Sequence, residues 1–73
     1  MRNIIEVQMF GRLVRISTPE DIPANMVAEE LEGRYEEEQY ENDGQACLQD
    51  IATDISKEWW KEENMDVRIN VRD

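Results

Sequence analysis

Histidine is absent from this 73-residue sequence, and cysteine occurs once, at Cys47. The first absence removes the commonest general base and a frequent zinc ligand; the second removes any internal disulfide. Without a histidine beside it, Cys47 lacks the usual base of a thiol nucleophile. Its place on an apolar stripe reads as a small core residue. Ser17, Thr18, Thr53 and Ser56 have no glycine-rich elbow around them, and the glycines form no phosphate-binding loop. There is no run of about 18 apolar residues, and Met1-Arg2-Asn3-Ile4-Ile5 leads into Glu6 instead of an apolar leader core. The expectation is a non-enzyme with no cofactor and no bound metal, soluble and cytoplasmic, with no membrane segment. A loop from Gln39 to Asp50 around Gly44 has the length of a calcium loop, but Gln39 stands where Asp is usual and Leu48 fills a ligand position.

What remains is enough apolar material, 40% of residues, to build one thin core, and residues 1–73 read as one domain. The stretch "IIEVQMFGRLVRIS" alternates with period two. Turning it at Phe10-Gly11 sets Met9 opposite Arg12, Val7 opposite Val14, Ile5 opposite Ile16 and Glu6 opposite Arg15. Phe-Gly is a poorer two-residue turn than Asn-Gly, so a longer loop or a glycine bulge is the alternative there. Pro19 and Pro23 punctuate the segment after this hairpin, with Ser17 and Thr18 as candidate caps. A helix from about Pro23 carries Ala24, Val27, Ala28, Leu31 and Tyr35 on one stripe and stops near Asn42-Asp43-Gly44. A second helix, roughly Gln45 to Asn64, carries Cys47, Leu48, Ile51, Ala52, Ile55 and Trp59 on one face. "MDVRINVR" then alternates as a third strand. The expected fold is α+β: a ββααβ two-layer domain with a three-stranded sheet and two helices on one face.

Charge is distributed unevenly over this framework. Residues 20–66 hold 16 acids against Arg34, Lys57 and Lys61, a sum of −13; the two ends sum to +3, giving −10 overall. On the first helix Glu29, Glu30, Glu32, Glu36, Glu37 and Glu41 fall on a broad outward arc. On the second, Asp50, Asp54, Glu58 and Glu62 recur every four residues along one flank. The acids from Glu29 to Glu41 come at about one per 3 Å of helix, close to the roughly 3.4 Å charge spacing of one DNA strand. Tyr40 and Trp60 fall on the outer sides, since Trp59 and Trp60 diverge by about 100° and only one can face the core; the alternative for Trp60 is to fold back over the sheet or a loop in a slightly shifted helix. A solvated, solubilising surface explains such acid in many small domains. Here its excess and the exposed aromatics favour a binding surface, with Glu29, Glu32, Glu36, Glu37, Asp50, Asp54 and Glu58 giving complementarity and Tyr40 and Trp60 as anchors.

In size, acidity, mixed α/β build and lack of cofactor motifs, the whole chain resembles the small acidic inhibitors of phages and mobile elements, the anti-CRISPR proteins and DNA mimics, which share no diagnostic motif. That resemblance implies a non-enzymatic inhibitor acting in the host bacterial cytoplasm. Its partner would be a basic nucleic-acid-binding protein, such as a CRISPR effector or restriction nuclease, with no nucleic acid bound directly. The alternative is a self-associating structural or regulatory module, antitoxin-like or a phage assembly protein, in which a homodimer uses a strand edge or the basic face of Arg15, Arg68 and Arg72.

Overall fold

Period-two alternation makes the first 18 residues a hairpin. The computed structural model describes residues 1–41 and 44–72. In it β1 (Asn3–Met9) pairs antiparallel with β2 (Arg12–Thr18) in the register expected, Met9 with Arg12 through Ile5 with Ile16. The turn is the two-residue form: Phe10 at φ 53° and Gly11 at φ 76° both lie in the left-handed region, the requirement of a type I′ turn. A phenylalanine is an uncommon occupant of such a position. Its ring packs on Tyr35 with centroids 4.3 Å apart and a 38° tilt, so an aromatic contact offsets the backbone strain.

Two side chains then fasten the loop that aims the first helix. Thr18, fully buried, donates to the Ile22 carbonyl at 2.6 Å, and Asn3 Nδ2 donates to the same oxygen at 2.8 Å. Thr18 therefore ties the loop instead of capping a helix. α1 (Ala24–Glu41) begins directly after Pro23, and Ala24, Val27 and Leu31 are its buried stripe. Of the expected stop, Asn42 and Asp43 lie outside the described residues; Gly44, at φ 80°, donates its N–H to the Gln39 carbonyl at 2.8 Å.

α2 (Leu48–Glu63) starts three residues later than the sequence suggests. Cys47 is consequently not in the core. It is exposed, its backbone is extended at φ −105° and ψ 116°, and its carbonyl accepts the Ile51 N–H as the position before the helix. Leu48, Ile51, Ala52 and Ile55 are buried, with Trp59 packed half-buried against them. Asn64 ends the helix in the left-handed conformation, donating to the Trp60 carbonyl, while Met65 donates to that of Trp59.

β3 (Arg68–Arg72) pairs antiparallel with β2, giving the sheet order β1-β2-β3 with β2 in the centre. α1 lies over β1 and β2, and α2 over β3, both on the sheet face that carries Val14, Ile16 and Ile69. The opposite face shows the rows Glu6-Arg15-Asn70 and Gln8-Leu13-Arg72 to solvent. The fold is thus the expected α+β layer pair.

Leu31 is fully buried between the layers. Leu31→Ala is expected to lower unfolding free energy by about 2 to 5 kcal/mol, measured by urea denaturation. Glycine-to-alanine changes should differ in sign. Gly33 sits in mid-helix with open space where a Cβ would be, so Gly33→Ala gains about 0.5 to 1 kcal/mol. Gly11, held at positive φ, loses roughly 1 kcal/mol or more on the same change.

Candidate functional site

Because both apolar stripes face the sheet, the remaining helix positions form one carboxylate-rich outer layer. Stepping about 100° per residue around α1 from buried Leu31 orders the exposed arc as Glu32, Glu36, Glu29, Tyr40 and Glu37. Glu29 and Glu32 border a cleft shared with Val7, Gln8 and Met9 of β1, which fixes that end of the arc on the β1 side. Glu37, Glu30 and Glu41 turn the other way, toward α2. Tyr40 is 89% exposed.

The helices run antiparallel, since Glu30 meets the end of α2 while Arg34 lies further back along it. Glu30, Glu58, Glu62 and Glu63 gather around Trp59 in a crevice of about 140 Å³. One cation enters this seam. Arg34 grips Glu58 with both guanidinium ends, Nη2 to Oε1 at 2.7 Å and Nη1 to Oε2, and lies 3.6 Å from Glu30. These hydrogen bonds hold the Glu58 carboxyl below its ordinary pKa. They also raise that of Arg34; partial burial opposes the rise, and the charges of Glu58, Glu30 and Asp54 add to it. Glu58 is therefore already committed within the molecule. Among the described residues, Glu29, Glu32, Glu36, Glu37, Asp50 and Asp54 have no cation within 4.0 Å.

The nine residues singled out by sequence do not form one patch. Glu29, Glu32 and Glu36 share the outer arc of α1 with Tyr40, while Glu37, Asp54 and Glu58 flank the seam and Asp50 lies beyond Asp54 on the same side of α2. Trp60, 61% exposed, points away from α1 and stands beside Lys57 and Lys61 instead of among acids. Sequence reasoning missed Arg34 as the brace of the seam. The Glu30-Arg34 spacing of four was visible as a helical pair, but the bond to Glu58 required knowing how the helices pack. No group of three or more Asp, Glu or Cys among the described residues is placed to hold a metal ion; Asn42 and Asp43 of the calcium-length loop lie outside them. No helix of the described residues is long and apolar enough to cross a membrane.

The fold and this surface define a small α+β domain with an acidic two-helix layer. Comparison with protein-family models, with curated proteins and with solved structures finds no match.

The depressed pKa of Glu58 sets a pH dependence. Above its unfolded-state pKa the pair with Arg34 contributes fully, and the contribution is lost as pH falls through the lower folded-state value. A double-mutant cycle of Arg34→Met and Glu58→Gln is expected to give a coupling of about 0.5 to 1 kcal/mol at neutral pH, since both side chains are partly exposed and screened. Repeated in acid below the ordinary carboxylate range, the coupling should fall toward zero.

Proposed function

We propose that the protein is a non-enzymatic, stoichiometric binder whose acidic helical layer docks on the basic nucleic-acid-binding surface of another protein, a nuclease or effector complex of bacterial defence being the favoured class. The observation that carries this reading is the set of carboxylates on α1 with no cation within 4.0 Å: Glu29, Glu32 and Glu36 on the outer arc with exposed Tyr40, and Glu37 where that arc turns toward α2. A solvated face needs no such ordered density, and like charges on neighbouring helix turns are mutually destabilising. A surface lined by arginine and lysine would relieve that repulsion on binding and accept a charge spacing near that of a nucleic-acid strand.

The self-associating alternative draws less support. Arg68 is held by Asp66 at 2.9 Å, which neutralises one of the three cations of the basic face from within. The open edges of β1 and β3, with Arg15 and Arg72 on the outer sheet face, remain as its support.

The immobilised protein, challenged with bacterial lysate, should retain a nucleic-acid-binding protein that added duplex DNA displaces and that rising salt releases steeply. The variant Glu29→Lys/Glu32→Lys/Glu36→Lys/Glu37→Lys, folded by circular dichroism, should retain none of it. Retention by this variant, or indifference to competing DNA, would overturn the assignment.

A further inference from the structure

The flank of α2 that faces away from α1 is built differently from the rest of the helical layer. Left-handed Asn64 reverses the chain at the helix end, and residues 65–67 return beside α2. Val67 is drawn into the core, and Met65 stays half-buried. Between this segment and the helix lies an open groove of about 720 Å³ with a largely apolar wall, which Trp60, Met65 and Val67 help to form. With Trp59 committed to the core side, the 100° step between neighbours obliges Trp60 to project here.

The charge of this groove is opposite to that of the molecule. Lys57 and Lys61, the only lysines of the chain, line it one helical turn apart. Neither has an ion-pair partner within 4.0 Å among the described residues. Asp66 is the one acid of the wall, and it is already held: Arg68 lies at 2.9 Å, Arg2 at 3.6 Å, and Arg2 also donates to the Asp66 carbonyl at 2.6 Å. Of the residues that line the groove, Lys57 and Lys61 against Asp66 leave one net positive charge in a chain of net charge −10, with Arg2 and Arg68 behind Asp66 holding its carboxylate. Asp54 and Glu58 lie three residues before Lys57 and Lys61, on the side of α2 nearer α1, where Arg34 binds Glu58.

We propose that this groove docks an acidic peptide segment bearing an apolar side chain, which covers Trp60, Met65 and Val67 while flanking carboxylates meet Lys57 and Lys61. An apolar centre with a charged rim and an exposed tryptophan is the anatomy of an interface hot spot. Charge complementarity selects the occupant. The same groove of a second copy brings lysine against lysine. A single-stranded nucleic acid finds one exposed aromatic for stacking and meets the repulsion of a strongly negative protein along its length. The site has the opposite charge preference to the acidic layer and does not depend on the function proposed for it.

Panning a displayed library of random peptides on the intact protein tests this. The expected winners carry two or more carboxylates beside leucine, isoleucine or phenylalanine. Synthesised, they should perturb tryptophan fluorescence on binding, and their affinity should fall about tenfold or more in Lys57→Glu/Lys61→Glu and also in Trp60→Ala. The milder Lys57→Gln/Lys61→Gln, with circular dichroism as the control for folding, should weaken binding in the same direction. No enrichment, enrichment of basic or uncharged sequences, or unchanged affinity in the lysine variants would overturn the proposal. So would binding of oligothymidylate that is lost in the same variants, which assigns the groove to nucleic acid.

Discussion

One interlayer core holds every other feature in position. Val14 and Ile16 of the central strand, Val27 and Leu31 of α1, and Leu48 and Ile55 of α2 are all buried to 2% exposure or less. A chain of this size has room for a single core of this kind, so each helix commits one narrow stripe to it. All remaining helix positions must face water or the sister helix. The carboxylates are therefore collected on one side of the molecule by packing, before any pairwise electrostatic interaction acts on them.

That collection carries a destabilising term. Glu32 with Glu36, Glu37 with Glu41, and each step along Asp50, Asp54, Glu58 and Glu62 are like-charge neighbours at four-residue spacing. At about 0.2 to 0.5 kcal/mol each, the five pairs amount to roughly 1 to 2.5 kcal/mol, a sizeable fraction of the stability of a small domain. Arg34 is the internal answer at the seam, binding Glu58 with both guanidinium ends and lying near Glu30 and Asp54. Its worth as a partly exposed pair is about 1 kcal/mol at most, and it reaches only the seam. The outer arc of α1 keeps its repulsion, which gives binding of a cationic surface a favourable electrostatic term already stored in the free protein.

The hairpin was legible in the sequence down to its register, because a period of two leaves one pairing in which Ile5, Val7, Val14 and Ile16 share a face and Phe10-Gly11 makes the turn. What sequence did not disclose there is why phenylalanine is tolerated: its partner, Tyr35, is 25 positions away on another element. The start of α2 was misplaced because Cys47 falls on the helical spacing of the stripe although its backbone is extended. The helical wheel gives the outward direction of Tyr40 and Trp60, but for Trp60 it leaves open a return over the sheet or a loop. Their surroundings do not follow from it, since the wheel gives a direction but not what the chain places beside it, and Met65 and Val67 reach Trp60 only through the reversal at Asn64.

α2 is the element on which the two surfaces meet. Its acids recur as Asp50, Asp54, Glu58 and Glu62, and its lysines as Lys57 and Lys61, both with a period of four. The two series keep separate flanks along the helix because they are offset by three residues, roughly 60° around the axis, and because Trp60 and the returning chain extend the second flank away from the first. A segment sum of −13 conceals this division. One helix can then offer acid toward α1 and a cationic, apolar groove toward the end of β3. At roughly 60° around a helix of about 10 Å diameter the two series stand about 5 Å apart, inside one Debye length at 0.1 M ionic strength, so each flank feels the charge of the other.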